Sequence, residues 1–458
     1  MALTRRSFLQ LGCLGLGACS FPKFTLQQTD GDADFVLVAE PATVELLPGK
    51  ETAALTFNGD YPAPVIRARQ GKRIRIRFIN RLSEPTTIHW HGIRIENAMD
   101  GVPFLTQRPV QPGEEFLYDF TCPDAGTFWY HPHVNSLTQL GKGLTGAFIV
   151  DEAEPLGFDH EAVVQLRDWR LDKEGGWLPL SIPRQAARAG TLGTVKTVNG
   201  KIKPVLEIPA GGLIRARFLN LDNTRVYHLS FKDYPAQVLA LDGNAIAEPY
   251  PLESRDTGAG MRLDVGFVAP EEAGQDVVVY DKKGRGFFEI FRFRTVASHL
   301  ATRNRQVPAL PMNPIPAPDL ANADALKLVF EWEGALSPVK KDGSVDHSFW
   351  TINRRAWEGM SKDNIPAPLA TFQLGKSYVV ELHNATPHHH PIHMHGITFT
   401  VLSSNKRDIE SYHTDTVLLA RNEKVKVAFV ADNPGRWMFH CHVVEHMKTG
   451  LMGYISVV

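Results

Sequence analysis

Residues 64–92, PVIRARQGKRIRIRFINRLSEPTTIHWHG, combine a strongly alternating segment with a closing pair of histidines. Within GKRIRIRFIN, apolar residues alternate with basic ones, which is the pattern of a β-strand with one buried face. A glycine turn precedes this strand, and an asparagine and a further short strand follow it. The stretch therefore predicts a strand–turn–strand unit that ends in His89-Trp90-His91-Gly92.

The same unit occurs three times along the chain. A second copy, residues 204–229, runs from PVLE through GGLIRARFLNLDN to YHL, and a third, residues 369–396, runs from LATF through GKSYVVELHNAT to HPIHMHG. A companion half-repeat matches PGEEFLYDFTCPDAGTFWYHPH at residues 112–133 with EKVKVAFVADNPGRWMFHCH at residues 423–442. The repetition predicts an all-β fold of three consecutive Greek-key β-barrels or sandwiches.

The copies also suggest domain boundaries. We predict an N-terminal segment at 1–30, domains at 35–155, 156–300 and 320–458, and a proline-rich linker at 301–319. Histidines are plentiful in the first and third copies, whereas the second has only His228 at the equivalent strand. The middle domain is therefore predicted to be a spacer without a metal site.

Composition excludes several classes of function. The chain has 458 residues, 43% of them hydrophobic and 22% charged, as in an ordinary globular protein. Its formal net charge is -1, so no global field favours nucleic acid or an anionic membrane surface. We therefore expect no nucleic-acid partner.

The N-terminus resembles a twin-arginine export signal. In residues 4–10, TRRSFLQ, a pair of arginines precedes an apolar stretch that is too short to span a bilayer as a permanent helix. Such a signal implies export of the folded chain to the periplasm or the outer face of the cell envelope. Residues 16–19, LGAC, resemble a lipobox, which makes Cys19 a candidate lipid anchor, and ordinary cleavage nearby is the alternative.

The cysteine count argues against a disulfide framework. Cys13 and Cys19 belong to the N-terminal segment, which leaves Cys122 and Cys441 for the folded body. Cys441 stands between two histidines and is predicted to bind a metal. Cys122 is predicted to be a lone buried thiol.

Ten of the 18 histidines fall in four clusters, which are HWHG at 89–92, HPH at 131–133, HPIHMH at 390–395, and HCH at 440–442 followed by His446. Residues two apart in a strand share a face, so each HxH pair presents two imidazoles to one centre. Cys441 then faces the opposite side, as does His390. Cys441, His390 and His446 form a candidate metal site with two nitrogen ligands and one thiolate ligand, as in blue-copper proteins.

Eight further histidines are too many for one ion and enough for three, namely His89, His91, His131, His133, His393, His395, His440 and His442. Zinc is the competing metal, because it also binds histidine and cysteine. A structural zinc site takes four ligands and often several cysteines, whereas this chain offers one thiolate with ten imidazoles. The pattern therefore favours copper, and three coppers together suit dioxygen.

The order HWHG, HPH, HPIHMH, HCHVVEH resembles the four-motif set of the laccase-type multicopper oxidases. The resemblance implies cupredoxin-like domains and four copper ions, with type 1 held by His390, Cys441 and His446 and type 2 by His89 and His393. A type 3 pair would take His91, His131, His133, His395, His440 and His442. Electrons would pass from type 1 along Cys441 into His440 and His442, and dioxygen would be reduced to water at the trinuclear cluster.

Two features of the resemblance concern the surroundings of the metals. In the family, the weak axial ligand of the type 1 copper lies ten residues after the cysteine. This chain has Leu451 at that position, and leucine cannot coordinate a metal. A shift of one residue would bring in Met452 instead. Asp100 stands where the family keeps an acidic residue near the type 2 copper, and we assign it the role of a proton relay. The alternative is that Asp100 is an aspartate that only stabilises a turn before Gly101. Relatives often carry a carboxylate where this chain has Met447, and Glu445 is a conjectural substitute.

The distribution of methionines indicates which electron donors are expected. Nine methionines are scattered without a cluster, which disfavours a dedicated cuprous oxidase and leaves phenols and aromatic amines as default donors. The alternatives are an oxidase of cuprous, ferrous or manganous ions and a copper-free envelope binding protein of the same fold. His388 and His389 are predicted to be surface residues, and a monomer is the family default.

Overall fold

The computed structural model describes residues 31–300, 305–333, 348–357 and 360–458. The predicted export signal, with Cys13 and Cys19, lies outside the described residues. Regular structure in the described part is almost entirely β-strand. Its short helical segments are α1 (Ser136–Gln139), α2 (Pro183–Ala186), α3 (Val444–Lys448) and a 3-10 turn (Asn97–Met99). None of these helices is long and apolar enough to cross a membrane.

A first pair of sheets is built from the N-terminal third of the described chain. Its strands are β1 (Phe35–Leu47), β2 (Lys50–Phe57), β3 (Ile66–Arg69), β4 (Arg73–Asn80), β5 (His89–His91), β6 (Glu115–Thr121), β7 (Gly126–His131) and β8 (Gly146–Asp151). The sheet orders are β2-β1-β4-β6 and β3-β8-β7-β5. The alternating segment is β4, in which Ile74, Ile76 and Phe78 are buried between less buried arginines.

A second pair of sheets follows. Its strands are β9 (His160–Trp169), β10 (Val195–Val198), β11 (Val205–Pro209), β12 (Leu213–Asn220), β13 (Tyr227–Ser230), β14 (Gln237–Leu241), β15 (Asn244–Pro251), β16 (Arg255–Thr257), β17 (Arg262–Val268), β18 (Asp276–Lys283) and β19 (Gly286–Val296). The orders are β10-β9-β12-β17-β14-β15 and β11-β19-β18-β13-β16. Strand β12 is buried on both faces, because Arg215 and Arg217 pair with Asp264 at 2.7 and 3.2 Å.

The third pair of sheets completes the molecule. Its strands are β20 (Asp324–Trp332), β21 (Trp350–Ile352), β22 (Ala370–Phe372), β23 (Ser377–Asn384), β24 (His390–Met394), β25 (Phe399–Ser404), β26 (Tyr412–Thr414), β27 (Thr416–Leu419), β28 (Lys424–Val430), β29 (Gly435–Cys441) and β30 (Met452–Val457). The orders are β21-β20-β23-β28-β25-β26 and β22-β30-β29-β24-β27.

The second and third pairs have the same strand order, and the first pair is a shorter version of it. Strands β4, β12 and β23 are equivalent, as are β5, β13 and β24, which are the strands of the sequence repeat. The predicted all-β fold of three consecutive units of one type is therefore confirmed. The residues at which one domain ends and the next begins stay predictions.

Candidate metal centres

The eight histidines of the larger predicted set lie together, between the first and third pairs of sheets. In the first pair, β5 and β7 are neighbours that place His89 opposite His131. In the third, β24 and β29 are neighbours that place His393 opposite His440. Rings from the two halves stack, with centroids 3.8 Å apart for His89 and His395. All eight side chains are buried, so the site draws its ligands equally from both ends of the chain.

Hydrogen bonds orient most of these rings by one nitrogen and leave the other free. Carbonyl or carboxylate oxygens accept from Nδ1 of His89 (Asp100 O, 2.8 Å), His131 (Pro132 O, 3.0 Å), His393 (Asp415 O, 3.0 Å), His440 (Cys441 O, 2.9 Å) and His395 (Asp100 Oδ2, 3.0 Å). A carbonyl oxygen cannot donate, so Nδ1 carries the proton and Nε2 carries a lone pair.

The free nitrogens point at one another rather than at protein donors. Buried ring nitrogens without a hydrogen-bond partner within the described residues occur in His89, His91, His131, His133, His393 and His442. The Nε2 atoms of His395 and His440 face each other at 3.2 Å. Burial is the main cause that lowers the pKa of seven of the rings, which are His91, His131, His133, His393, His395, His440 and His442. Convergent neutral imidazoles whose lone pairs face one another fit metal cations.

Three groups of nitrogens each lie within 4.8 Å of one another, which are His89/His91/His393, His89/His133/His395 and His91/His131/His442. The two histidines that the resemblance gave to type 2 share the first group. The other two groups contain type 3 candidates, and His440 adjoins His395. The structure thus brings every predicted trinuclear ligand to one place, while their assignment to particular ions stays a prediction.

The smaller predicted site also assembles. The Sγ of Cys441 lies 3.5 Å from Nδ1 of His390 and 3.6 Å from Nδ1 of His446, and these two nitrogens are 3.1 Å apart. Nε2 of His390 donates to the hydroxyl of Thr386 at 2.8 Å, and Nε2 of His446 donates to the carbonyl of Arg188 at 2.8 Å. Both Nδ1 lone pairs therefore face the sulfur.

Burial sets the ionisation of this group. It raises the pKa of the Cys441 thiol and lowers the pKa of His446 to about 3. Two facing lone pairs beside a buried thiol repel unless a cation lies between them and draws off the thiol proton. The donor set therefore fits a soft divalent or monovalent metal such as copper.

Leu451 precedes β30 and Met452 is its first residue, and the two side chains pack in different buried clusters. The backbone N–H of Cys441 donates to the carbonyl oxygen of Leu451 at 3.0 Å, and both side chains belong to one buried apolar cluster. Met452 pairs with His440 across the sheet and packs instead with Met438 in a neighbouring cluster. Of the two residues, Leu451 is therefore the one that lies in the same buried cluster as Cys441.

Asp100, the predicted proton relay, lies against the histidine cluster. It is 2% exposed, and its carboxylate oxygens lie 3.0 Å from Nδ1 of His395 and 3.2 Å from Nδ1 of His89. Its backbone carbonyl accepts from His89 as well. Asp100 therefore contacts rings of both halves of the site.

A second carboxylate, Asp415, was not expected from the sequence. It lies 3.3 Å from Nδ1 of His393 and 3.3 Å from Nε2 of His91, at the border of β26 and β27. Burial alone raises the pKa of Asp415, but the Arg262 guanidinium and the His393 ring outweigh it and hold the pKa well below its usual range. No spacing in the sequence marks Asp415; only the pairing of Thr416 with His393 brings it there.

The remaining candidates have other surroundings. Both carboxylate oxygens of Glu445 accept hydrogen bonds from Thr191, from its backbone N–H and from its hydroxyl at 2.7 Å. Met447 lines a cavity of about 10 Å³ beside the type 3 candidates. His388 is half-buried and His389 exposed. Cys122 is a buried free thiol, and burial raises its pKa to about 12.

Comparison with known proteins places this arrangement in a family. Family models described as multicopper oxidase match residues 38–155 and 336–458. A solved multicopper oxidase from Pseudomonas thermotolerans is 45% identical with a TM-score of 0.85, over 92% of this chain and 98% of that chain. One from Pseudomonas parafulva is 47% identical with a TM-score of 0.83, over 92% and 99%. Laccase-4 of Trametes villosa is 26% identical over 88% of this chain and 85% of its own length.

These likenesses extend over nearly the whole described chain and both histidine-bearing units. They agree with the cupredoxin-like fold, with copper as the metal and with an oxidoreductase that uses oxygen. This chain belongs to the multicopper oxidase family.

Proposed function

We propose that this multicopper oxidase is laccase-like and oxidises phenolic or aromatic amine donors by one-electron steps. The observation that carries the proposal is the adjacency of two ligand sites: Cys441 in the smaller site is flanked by His440 and His442 in the larger one. Four copper ions, one of type 1, one of type 2 and two of type 3, would take single electrons from the donor and reduce dioxygen to water. The likeness to Laccase-4 supports the choice of donor.

The chain itself provides the electron route between the sites. Cys441 is joined to His440 and His442 by single peptide links, so the path is covalent in both directions. In addition, Nδ1–H of His440 donates to the carbonyl oxygen of Cys441 at 2.9 Å, which shortens the path to that ring. Both routes are buried, at the end of β29 and in the residue that follows it.

The two carboxylates have different tasks in the proposal. Asp100 contacts rings from both halves, so it is placed to pass protons inward to the site where water forms. Asp415 is held as an anion by Arg262 and orients His393. A fixed negative charge at this point also offsets the charge of bound metal.

Copper content and the visible spectrum of the purified protein test the proposal. The copper-replete protein should contain about four coppers and show an intense thiolate-to-copper absorption. Cys441→Ser should lose that absorption, whereas Cys122→Ser, which also removes a buried thiol, should keep it. Little copper and no absorption after reconstitution contradict the proposal, as does efficient oxidation of cuprous or ferrous ion with no turnover of any phenol.

We also propose export through the twin-arginine segment, with Cys19 as a lipid anchor and a monomeric enzyme. The sequence of residues 4–19 supports export and the lipid anchor, and the monomer is the default of the family. Replacing Arg5 and Arg6 by lysine should retain the precursor inside the cell, and mass spectrometry of the mature N-terminus distinguishes acylated Cys19 from ordinary cleavage. Sedimentation of the mature enzyme reports the oligomeric state.

A further inference from the structure

The two histidine rings of the type 1 group have no edge that reaches solvent. His390 and His446 are both 0% exposed. Nε2, the atom of each ring that points away from the sulfur, is already bonded, in His446 to the carbonyl of Arg188 and in His390 to Thr386. An organic donor therefore cannot contact either ring directly, and its electron must enter through another residue.

Trp350 is the residue that covers both rings. Its ring centroid lies 4.4 Å from that of His446 and 4.9 Å from that of His390. The indole is fully buried, and its Nε1–H donates to the carbonyl oxygen of Ala186 at 3.0 Å, which fixes its orientation. Trp350 thus forms a rigid aromatic contact with both nitrogen ligands of the type 1 group.

Trp332 connects this buried indole to the surface. It pairs with Trp350 across β20 and β21, and the two ring centroids are 6.5 Å apart at an interplanar angle of 33°. Unlike Trp350, Trp332 is 39% exposed. Two indoles in sequence therefore lead from solvent to the covered rings.

We propose that Trp332 is the electron-uptake residue of this enzyme: a flat aromatic donor stacks on its exposed indole, and the electron passes through Trp350 to His446 and His390. The inference rests on the proposed function, because it specifies where the donor binds. In each step a phenol would lose one electron, by way of the two indoles, to copper held by His390, Cys441 and His446, and one proton to water. Both indoles end the step unchanged, and four such steps supply one dioxygen.

The chemistry of Trp332 also specifies the class of donor. An indole face offers a large apolar π-surface that stacks on planar rings, and its surface neighbour His388 adds another ring 6.1 Å away. Neither Trp332 nor His388 carries a carboxylate or a thioether. Carboxylates bind hydrated metal ions and thioethers bind soft ones. The site therefore favours aromatic donors over metal ions.

Two measurements on the copper-replete enzyme test the role of Trp332. The first is calorimetric binding of dimethoxybenzene, which resembles a phenolic donor but has no phenolic proton to lose. The second is anaerobic bleaching of the type 1 absorption by dimethoxyphenol in a stopped-flow instrument. Trp332→Leu is compared with Trp332→Phe, which keeps a stacking ring, and with Phe288→Ala, which removes an exposed aromatic ring in the second pair of sheets.

We expect Trp332→Leu to weaken dimethoxybenzene binding about fivefold, the factor that one aromatic pair contributes. Bleaching by dimethoxyphenol should slow about tenfold, since both stacking and the electron route are lost. Trp332→Phe should recover most of the binding and part of the bleaching rate, and Phe288→Ala should change neither. An unaltered absorption spectrum in the variants shows that the type 1 ligands are intact.

If Trp332→Leu binds and bleaches like the unmodified enzyme, the assignment of Trp332 is wrong. If the leucine variant does not fold, Trp332→Val also removes the ring and suits a strand position, and equal binding and bleaching rates there also overturn the assignment. A different result separates the two proposals: an unmodified enzyme that oxidises no aromatic donor contradicts the proposed function itself.

Discussion

The guanidinium of Arg262 forms a bidentate ion pair with Asp415, with Nη1–Oδ1 and Nη2–Oδ2 distances of 3.0 and 2.5 Å. Arg262 begins β17 in the second pair of sheets, and Asp415 lies beside His393 and His91. The same guanidinium donates through Nε to the carbonyl oxygen of Thr127 in the first pair, at 3.0 Å. One buried cation of the middle unit thus joins all three units at the border of the histidine cluster, so this unit does more than separate its neighbours.

We expect Arg262→Met to destabilise the protein by about 3–5 kcal/mol, because it leaves Asp415 as a buried charge without its partner. Denaturant unfolding of the purified protein measures this loss. Arg294→Met is the matched control, since Arg294 pairs with Asp276 at the surface and such pairs contribute about 1 kcal/mol or less. Equal losses in the two variants would show that the Arg262–Asp415 pair does not hold the units together.

Asp100→Asn should lower turnover by about a hundredfold or more, the usual contribution of a positioned proton-transfer group. Asparagine keeps the size of the side chain and one acceptor oxygen for the His395 ring, but it cannot pass a proton on. Anaerobic bleaching of the type 1 absorption should be unchanged, because electron uptake takes place at the other site. Asp60→Asn, at an exposed position, is the control. Normal turnover and an unchanged pH profile in Asp100→Asn contradict the proton-relay role.

Local patterns predicted the strands well and identified the histidines that the fold brings together, because both depend on residues close in sequence; which of these histidines bind metal ions stays a prediction. Alternation located β4, and the spacing of two within β5 and across the end of β29 placed pairs of histidines close together. The same alternation in β12 does not indicate a solvent face, because Arg215 and Arg217 both pair with the buried Asp264. Alternating charge therefore predicts a strand but not its exposure.

The contacts that the sequence did not reveal are those between distant segments. Asp415 and Arg262 are 153 residues apart and meet only when the second and third units pack together. Likewise, Trp350 lies against His446, and its backbone N–H donates to the carbonyl oxygen of Thr449 at 3.2 Å, a contact that no local spacing records. The candidate ligands could therefore be predicted from motifs, whereas the residues that orient and cover them required the fold.

A pH effect is expected from Asp222, which lies outside the metal sites. Burial, followed by the nearby Asp168 carboxylate, raises the pKa of Asp222 to about 6, compared with about 3.9 for an aspartate in an unfolded chain. Between these values the folded state holds a proton that the unfolded state lacks. The free energy of unfolding therefore falls as the pH rises from about 4 to about 6, by roughly 2 kcal/mol.

Asp222→Asn should remove this slope and keep the hydrogen bond that Oδ1 accepts from the N–H of Thr224 at 3.0 Å. Denaturant unfolding at several pH values measures the effect. Asp233→Asn, at a fully exposed position, should retain the slope of the unmodified protein. If the slope persists in Asp222→Asn, the proton taken up on folding belongs to another group.

The axial position of the type 1 group gives the last prediction. Leu451→Met should place a thioether beside the thiol of Cys441, because Leu451 packs in the same cluster, and the swap costs less than about 1.5 kcal/mol in a core. A thioether ligand donates charge to the oxidised metal, so the type 1 potential should fall and the visible absorption should change. Met452→Leu makes the reverse swap one residue away, in the cluster of Met438, and should leave the potential unaltered. Redox titration of the type 1 absorption decides between the two positions: a shift in Met452→Leu without one in Leu451→Met would mean that Met452 is the axial neighbour.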